Sequence, residues 1–90
     1  MHMSGSVFTL DDLRRILLES AGAEEGTDLG DDILDKKFGD LGYESLALLE
    51  TGGRIERGWN ITLDDSVLDD STTPRALIEA VNAHLAAQAA

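Results

Sequence analysis

Apolar residues recur at helical spacing in three separate stretches of this chain, which points to an all-α fold. The first stretch, "FTLDDLRRILLESAG", opens on Thr9 as a cap, with Asp12 three residues on as its reciprocal partner. Leu10, Leu13, Ile16 and Leu17 then share one face, and Gly22 ends the helix. The second helix is expected from Ser45 to about Arg57. The third stretch, "TTPRALIEAVNAHLAAQAA", has the sharpest boundary. Thr73 caps it, Pro74 takes the first helical position where its missing N–H is harmless, and Leu77, Ile78, Val81 and Leu85 form the stripe. Between the second and third helices Trp59, Ile61 and Leu63 alternate, and Val67 and Leu68 predict a short helix or turn. Residues 22–43 carry five glycines and many charges without a helical period. A connection that long is uncommon in a compact domain and usually functional. Leu29, Ile33, Leu34, Phe38 and Leu41 can anchor it, with a turn of helix around Asp32–Lys37.

Ninety residues make one domain. Phe8, Phe38, Tyr43 and Trp59 are its only aromatics, so the core must be built of Leu, Ile, Val and Ala, as suits a small bundle. Eighteen acids against seven bases give a net charge of −11, which repels nucleic acid and anionic membranes and attracts basic protein surfaces. No apolar run approaches the ~20 residues that cross a bilayer, and no signal peptide is evident. The absence of cysteine excludes disulfides and thiolate metal sites and suits a cytoplasmic location. Residues 1–7 read as a tag remnant and disordered N-terminus, 8–87 as the folded domain and 88–90 as a frayed end.

One hydroxyl stands out. In "DLGYESLALLE", Ser45 follows an acid and precedes an apolar helical run. A nucleophilic serine needs a base within reach, and the only histidines are His2 and His84, far off in sequence. Glycines are also missing from the positions of Tyr43 and Ala47 that a nucleophile elbow requires. The serine reads better as an attachment point, because free N–H groups and the dipole at a helix N-terminus favour a phosphate. On physical grounds alone that reading and a plain helix cap stand level. The acids Asp28, Asp31, Asp32 and Asp35 lack the spacing of a calcium loop, so no metal site is expected.

"LGYESLALLE" resembles the phosphopantetheine attachment motif of acyl carrier proteins, above all the discrete carriers of type II (aromatic) polyketide synthases. "LDDLRRIL", "RIERGWNITLDD" and "TTPRALIEAVN" resemble the same subfamily in order and spacing, from about residue 8 to residue 87. The resemblance implies a four-helix bundle, three helices long and one short, with a long loop after the first. It implies no catalysis, but a 4′-phosphopantetheine arm donated by coenzyme A to Ser45, making a phosphoprotein. On that arm malonyl units and a growing poly-β-ketone would ride as thioesters in antibiotic biosynthesis. The partners implied are a phosphopantetheinyl transferase, the ketosynthase/chain-length factor pair, a malonyl transferase, a ketoreductase and cyclases, each met by a monomer. Docking on them would fall on Glu44, Leu46, Leu49, Glu50, Gly53 and Glu56. A groove for the acyl chain would be lined by Leu48, Leu68 and Val81, with a core too well packed to admit anything as the equal alternative.

Two features depart from the family. Glu44 stands where Asp is usual and is a poorer cap, and Gly52 and Gly53 lie in mid-helix in place of larger residues. Gly52 is expected to pack inward and Gly53 to be largely exposed. A fatty-acid carrier is the nearest alternative, opposed by the GY before the serine and the LALLE after it. A peptidyl carrier would show Gly-Gly-His before Ser-Leu. An acidic interaction module without a prosthetic group is the alternative from another class.

Overall fold

The computed structural model describes residues 7–21, 33–69 and 71–89. Three α-helices, α1 (Leu10–Ala21), α2 (Ser45–Trp59) and α3 (Pro74–Ala89), are joined by connections that include one 3-10 turn at Asp65–Leu68. There is no strand among the described residues, and no described helix is long and apolar enough to cross a membrane. Helix α1 packs on both α2 and α3, and so does the 3-10 turn, which makes it the fourth member of the bundle among the described residues.

The helix starts follow their local chemistry. Asp12 N–H donates to Thr9 Oγ1 at 3.2 Å while Thr9 N–H donates to Asp12 Oδ2 at 3.1 Å, a reciprocal capping pair. At α3 the Ala76 N–H donates to Thr73 Oγ1 at 3.2 Å. Helix α2 runs two residues past its expected end. Asn60 stops it by taking the left-handed conformation (φ 58°), with its N–H on the Glu56 carbonyl. A short polar side chain tolerates that conformation, and Asn after a helical run is a common terminator. Helix α3 continues to Ala89, beyond residue 87, and Gln88 Nε2 donates to the Asn60 carbonyl at 2.7 Å.

Leu13, Ile16 and Leu17 of α1, Leu48 and Ile55 of α2 and Leu77 and Val81 of α3 close the core. The alternation after α2 is realised as an extended segment, with Ile61 and Leu63 buried and Asn60, Thr62 and Asp64 exposed. The chain's start is fixed from a distance. Phe8 N–H donates to Asn82 Oδ1 at 2.7 Å, and Asn82 Nδ2 donates to the Phe8 carbonyl at 3.0 Å. The Phe8 ring meets Trp59 edge to face, centroids 4.9 Å apart.

The long connection is anchored much as its apolar residues suggest. Ile33 and Phe38 are buried, Leu34 and Leu41 half-buried, and a turn closes from Lys36 N–H to the Ile33 carbonyl at 3.0 Å. Leu29 and Asp32 lie outside the described residues, as do residues 1–6. The segment is also stitched to the start of α3. Phe38 N–H donates to the Thr72 carbonyl at 2.9 Å, and Arg75 N–H, otherwise unpaired in the first turn, donates to the Leu34 carbonyl at 3.0 Å. The Arg75 guanidinium grips Asp35 in a two-point bond of 2.7 and 3.1 Å, and this hydrogen bonding holds the Asp35 carboxyl below the usual carboxylate range.

The paired glycines of α2 differ in surroundings. A Cβ at Gly52 would stand 2.5 Å from Leu68 Cδ1 and 2.8 Å from Cδ2, so the bare backbone is the notch that seats the 3-10 turn. Gly52 is buried, as expected. Gly53 is half-buried rather than largely exposed, because the Arg57 side chain lies over it, 3.4 Å from where a Cβ would stand.

These contacts set two expectations. Gly52→Ala should destabilise by ~1–3 kcal/mol, since Leu68 must give way in a packed interior. Gly53→Ala should stabilise by about 0.5–1 kcal/mol, because Arg57 is long, exposed and free to shift. Thermal melts of the two single variants check both signs. Asp35→Asn should lower the melting temperature slightly at neutral pH. Because the folded-state pKa of Asp35 is lowered, its contribution is present above the unfolded pKa and fades as pH falls through the folded one. Melts of wild type and Asp35→Asn should therefore converge on acidification.

Candidate functional site

Residues 38–45 are a sequence of small constraints that end on one hydroxyl. Tyr43 is buried, its ring edge-to-face with Phe38 at 6.4 Å, and its N–H returns to the Phe38 carbonyl at 3.0 Å. That bond closes a tight turn whose reversal falls on Gly42 at φ +91°, a conformation that favours glycine. Glu44 follows in extended geometry (φ −89°, ψ 166°), and its carbonyl accepts the first backbone bond of α2, from Leu48 N–H at 3.0 Å. Ser45 is the first helical residue and is exposed.

The helix start is left without a side-chain cap: the Glu44 carboxylate makes no hydrogen bond there. The first-turn amides of α2 precede any intrahelical acceptor, and they sit at the positive end of the helix dipole. An exposed hydroxyl at an uncapped helix N-terminus fits a phosphodiester, which would meet free donors and no obstructing side chain. The one described histidine, His84, lies exposed late in α3, and no described cluster of His, Asp or Glu could hold a metal ion.

Around Ser45 the surface is apolar and then acidic. Leu46 is 80% exposed and Leu49 47% exposed, uncommon for leucines on an amphipathic helix, while Leu48 between them is fully buried. Glu44 and Glu50 are exposed. Leu46, Glu50 and Arg54 are spaced four apart and so form one line down the helix. Arg54 Nε lies 3.4 Å from Glu50 Oε2, and Arg54 Nη1 lies 3.8 Å from Glu19 Oε1 on α1.

Not every residue expected on this face is free to serve it. Glu56 is half-buried, and its Oε2 accepts from Leu63 N–H at 2.7 Å, which pins the extended link to α2. Gly53 is half-covered by Arg57. Leu48, Leu68 and Val81, expected to line a groove, are brought together in the core, all three buried. Anything entering there must part Leu68 from its notch at Gly52.

Sequence reasoning missed several residues. Arg54 bridges two helices, and Asn82 holds Phe8. Thr51 is fully buried and donates its hydroxyl to the Ala47 carbonyl at 2.9 Å. Thr51 carried a local signal, since threonine can bond back along its own helix, and so did the four-residue spacing of Arg54 from Glu50, but not its reach to Glu19. The other two contacts join residues far apart in sequence.

Comparison with known proteins agrees with this geometry. The family described as the phosphopantetheine attachment site matches residues 11–81. The monensin polyketide synthase acyl carrier protein of Streptomyces virginiae is 62% identical over 85 residues, covering 94% of this chain and 96% of the relative. The oxytetracycline polyketide synthase acyl carrier protein of Streptomyces rimosus is 54% identical over 80 residues, covering 89% and 84%. Among solved structures, the 3,7-dioxo-octyl actinorhodin acyl carrier protein from Streptomyces coelicolor superposes with a TM-score of 0.83 at 46% identity, over 96% of this chain and 99% of that one. A match that spans most of the chain, with relatives this similar over nearly their whole length, places the chain in the acyl carrier proteins of type II polyketide synthases, non-catalytic subunits that bear a covalent 4′-phosphopantetheine.

Proposed function

We propose that Ser45 is the residue that takes the arm, and that the protein, a cytoplasmic monomer, carries malonyl units and the growing poly-β-ketone of an aromatic polyketide. The observation that carries this reading is the exposed Ser45 hydroxyl on the first turn of an uncapped helix. In the loading step the Ser45 oxygen bonds to the phosphorus of coenzyme A's phosphopantetheinyl group. The phosphoanhydride to the adenosine 3′,5′-bisphosphate breaks, and the serine proton leaves to the transferase. The arm supplies a terminal thiol on which acyl groups ride as thioesters. This chain's own residues present the attachment oxygen, stabilise the phosphodiester with first-turn amides, and steer the partner.

Leu46 and Leu49 give a partner an apolar foothold beside Ser45, and Glu44 and Glu50 surround it with charge. A phosphopantetheinyl transferase, the ketosynthase/chain-length factor, a malonyl transferase, a ketoreductase and cyclases would each meet this face with a basic rim. Electrostatic steering gives fast, salt-sensitive encounters suited to a carrier that must leave each partner quickly. Glu56, engaged with Leu63, belongs chiefly to the fold and only secondarily to docking. An acyl chain sheltered between α2, the 3-10 turn and α3 would have to displace Leu68 first.

Two measurements test this. Incubated with coenzyme A and a phosphopantetheinyl transferase, the apo protein should gain the mass of one phosphopantetheinyl group, and Ser45→Ala should gain none. Modification of Ser45→Ala would overturn the assignment. At low salt Glu50→Gln should raise the transferase KM about two- to fivefold with kcat unchanged, and physiological salt should shrink the effect. Glu56→Gln should act mainly on the melting temperature, because a neutral acceptor replaces a charged one on Leu63 N–H.

A further inference from the structure

The exposed acid one turn beyond the Ser45 turn is not free. Glu50 Oε2 lies 3.4 Å from Arg54 Nε, so any partner cation that seeks Glu50 must compete with one already present. The same guanidinium reaches Glu19 of α1, 3.8 Å from Nη1 to Oε1. One cation is thus shared between two carboxylates on different helices, both about half exposed (54% for Glu19 and 52% for Glu50). Neither contact is a well-formed hydrogen bond. Arg54 Nε is shielded from solvent without an aligned acceptor, despite its nearness to Glu50. A guanidinium whose Nε is unsatisfied and whose two carboxylate neighbours are both loosely spaced has little to lose by shifting toward either one.

We infer that Arg54 is a resident counter-ion that a partner's basic side chain displaces: on docking, a partner Lys or Arg takes Glu50, and Arg54 withdraws to Glu19. The inference rests on the reading of Glu50 as a docking residue and deepens it. Its occupant is a single basic side chain on a protein surface, argued from the net charge of −11 and from the line Leu46, Glu50, Arg54 that leads away from Ser45. Withdrawal conserves the count of ion pairs. Before docking, one cation serves two acids; afterwards two cations serve two acids, and the single surplus negative charge of this trio is neutralised. The device lowers the affinity of each encounter, since Glu50 is never fully bare, and it supplies a ready replacement when the partner leaves. It also brings the end of α1 into the docking surface through Glu19, a residue that the second helix alone would not suggest.

The test is the KM of the apo protein in phosphopantetheinyl transfer at low salt, with kcat followed separately. Arg54→Met keeps the length of the side-chain stem and removes the competitor. It should lower KM about two- to fivefold with kcat unchanged, and the gain should vanish in an Arg54→Met/Glu50→Gln double variant. Glu19→Gln should raise KM, because Arg54 loses its retreat and settles on Glu50; combined with Arg54→Met it should do nothing further. Arg15→Gln, which removes an equal charge from α1, is the control for bulk electrostatics. An equal fall in KM for Arg15→Gln and Arg54→Met, or a gain that survives Glu50→Gln, would overturn the exchange. So would Glu50→Gln raising KM while Arg54→Met fails to lower it, with docking at Glu50 left standing. If Glu50→Gln leaves KM unchanged, docking at Glu50 is wrong and the exchange falls with it. Should Arg54→Met unfold, Glu19→Gln decides when set beside Glu79→Gln, which removes an equal charge from an exposed position on α3: an equal rise in KM for the two would overturn the exchange.

Discussion

The position of Ser45 depends on how the connection between α1 and α2 is held down. Phe38 and Tyr43 are sunk into the core, and the backbone between Leu34 and Phe38 is bonded to the residues around the start of α3. A tight reversal at Gly42 then converts that anchored segment into the first turn of α2. Burial of the two rings supplies the free energy, and the backbone bonds fix the register. With Tyr43 held in the core, the helix that follows has its start determined to within a residue. The attachment site proposed at Ser45 would have to be presented in the same place to every partner, and here the rigidity comes from the residues just before it, while the serine itself is exposed.

The same segment shows where sequence reasoning succeeds and where it stops. Thr9 and Asp12, Thr73 and Pro74, and the stripe through Leu13, Ile16 and Leu17 were legible because capping and periodicity are local properties, each visible within a few residues. The exposed hydroxyl of Ser45 at a helix start was legible for the same reason, and the surrounding motif singled out its family. The roles of Glu56, Arg54 and Asn82 were not. Each depends on a partner that only the folded chain brings near: Leu63 beyond the helix end, Glu19 on α1, Phe8 at the far end of the chain. Gly53 illustrates a milder failure. Helical geometry placed it on the outer face, but the length of the Arg57 side chain decided how much of it stays uncovered.

Charge in this protein is distributed by function. Acids that surround the attachment helix start, Glu44 and Glu50, stay in solvent where they can be felt at a distance. Others are consumed internally: Asp12 in a cap, Glu56 on Leu63, Asp35 on Arg75, and Asp64 on the Ser66 amide. A net charge of −11 is therefore carried in part by acids that also hold the fold together. The few bases are placed with similar economy, since Arg54 and Arg75 each join two segments.

The pairing of Phe8 with Asn82 spans 74 residues, from just before the first helix to the middle of the last. A chain emerging from a ribosome cannot make it until α3 is nearly complete, whereas the capped start of α1 needs only its own neighbours. During synthesis the Phe8 backbone therefore waits for Asn82, its last partner. A long-range closure of this kind forms late, after the local structure of α1 and α2. On the exchange proposed for Glu19 and Arg54, a partner would read the packing of α2 on α1 and so would distinguish a folded carrier from a partly folded one.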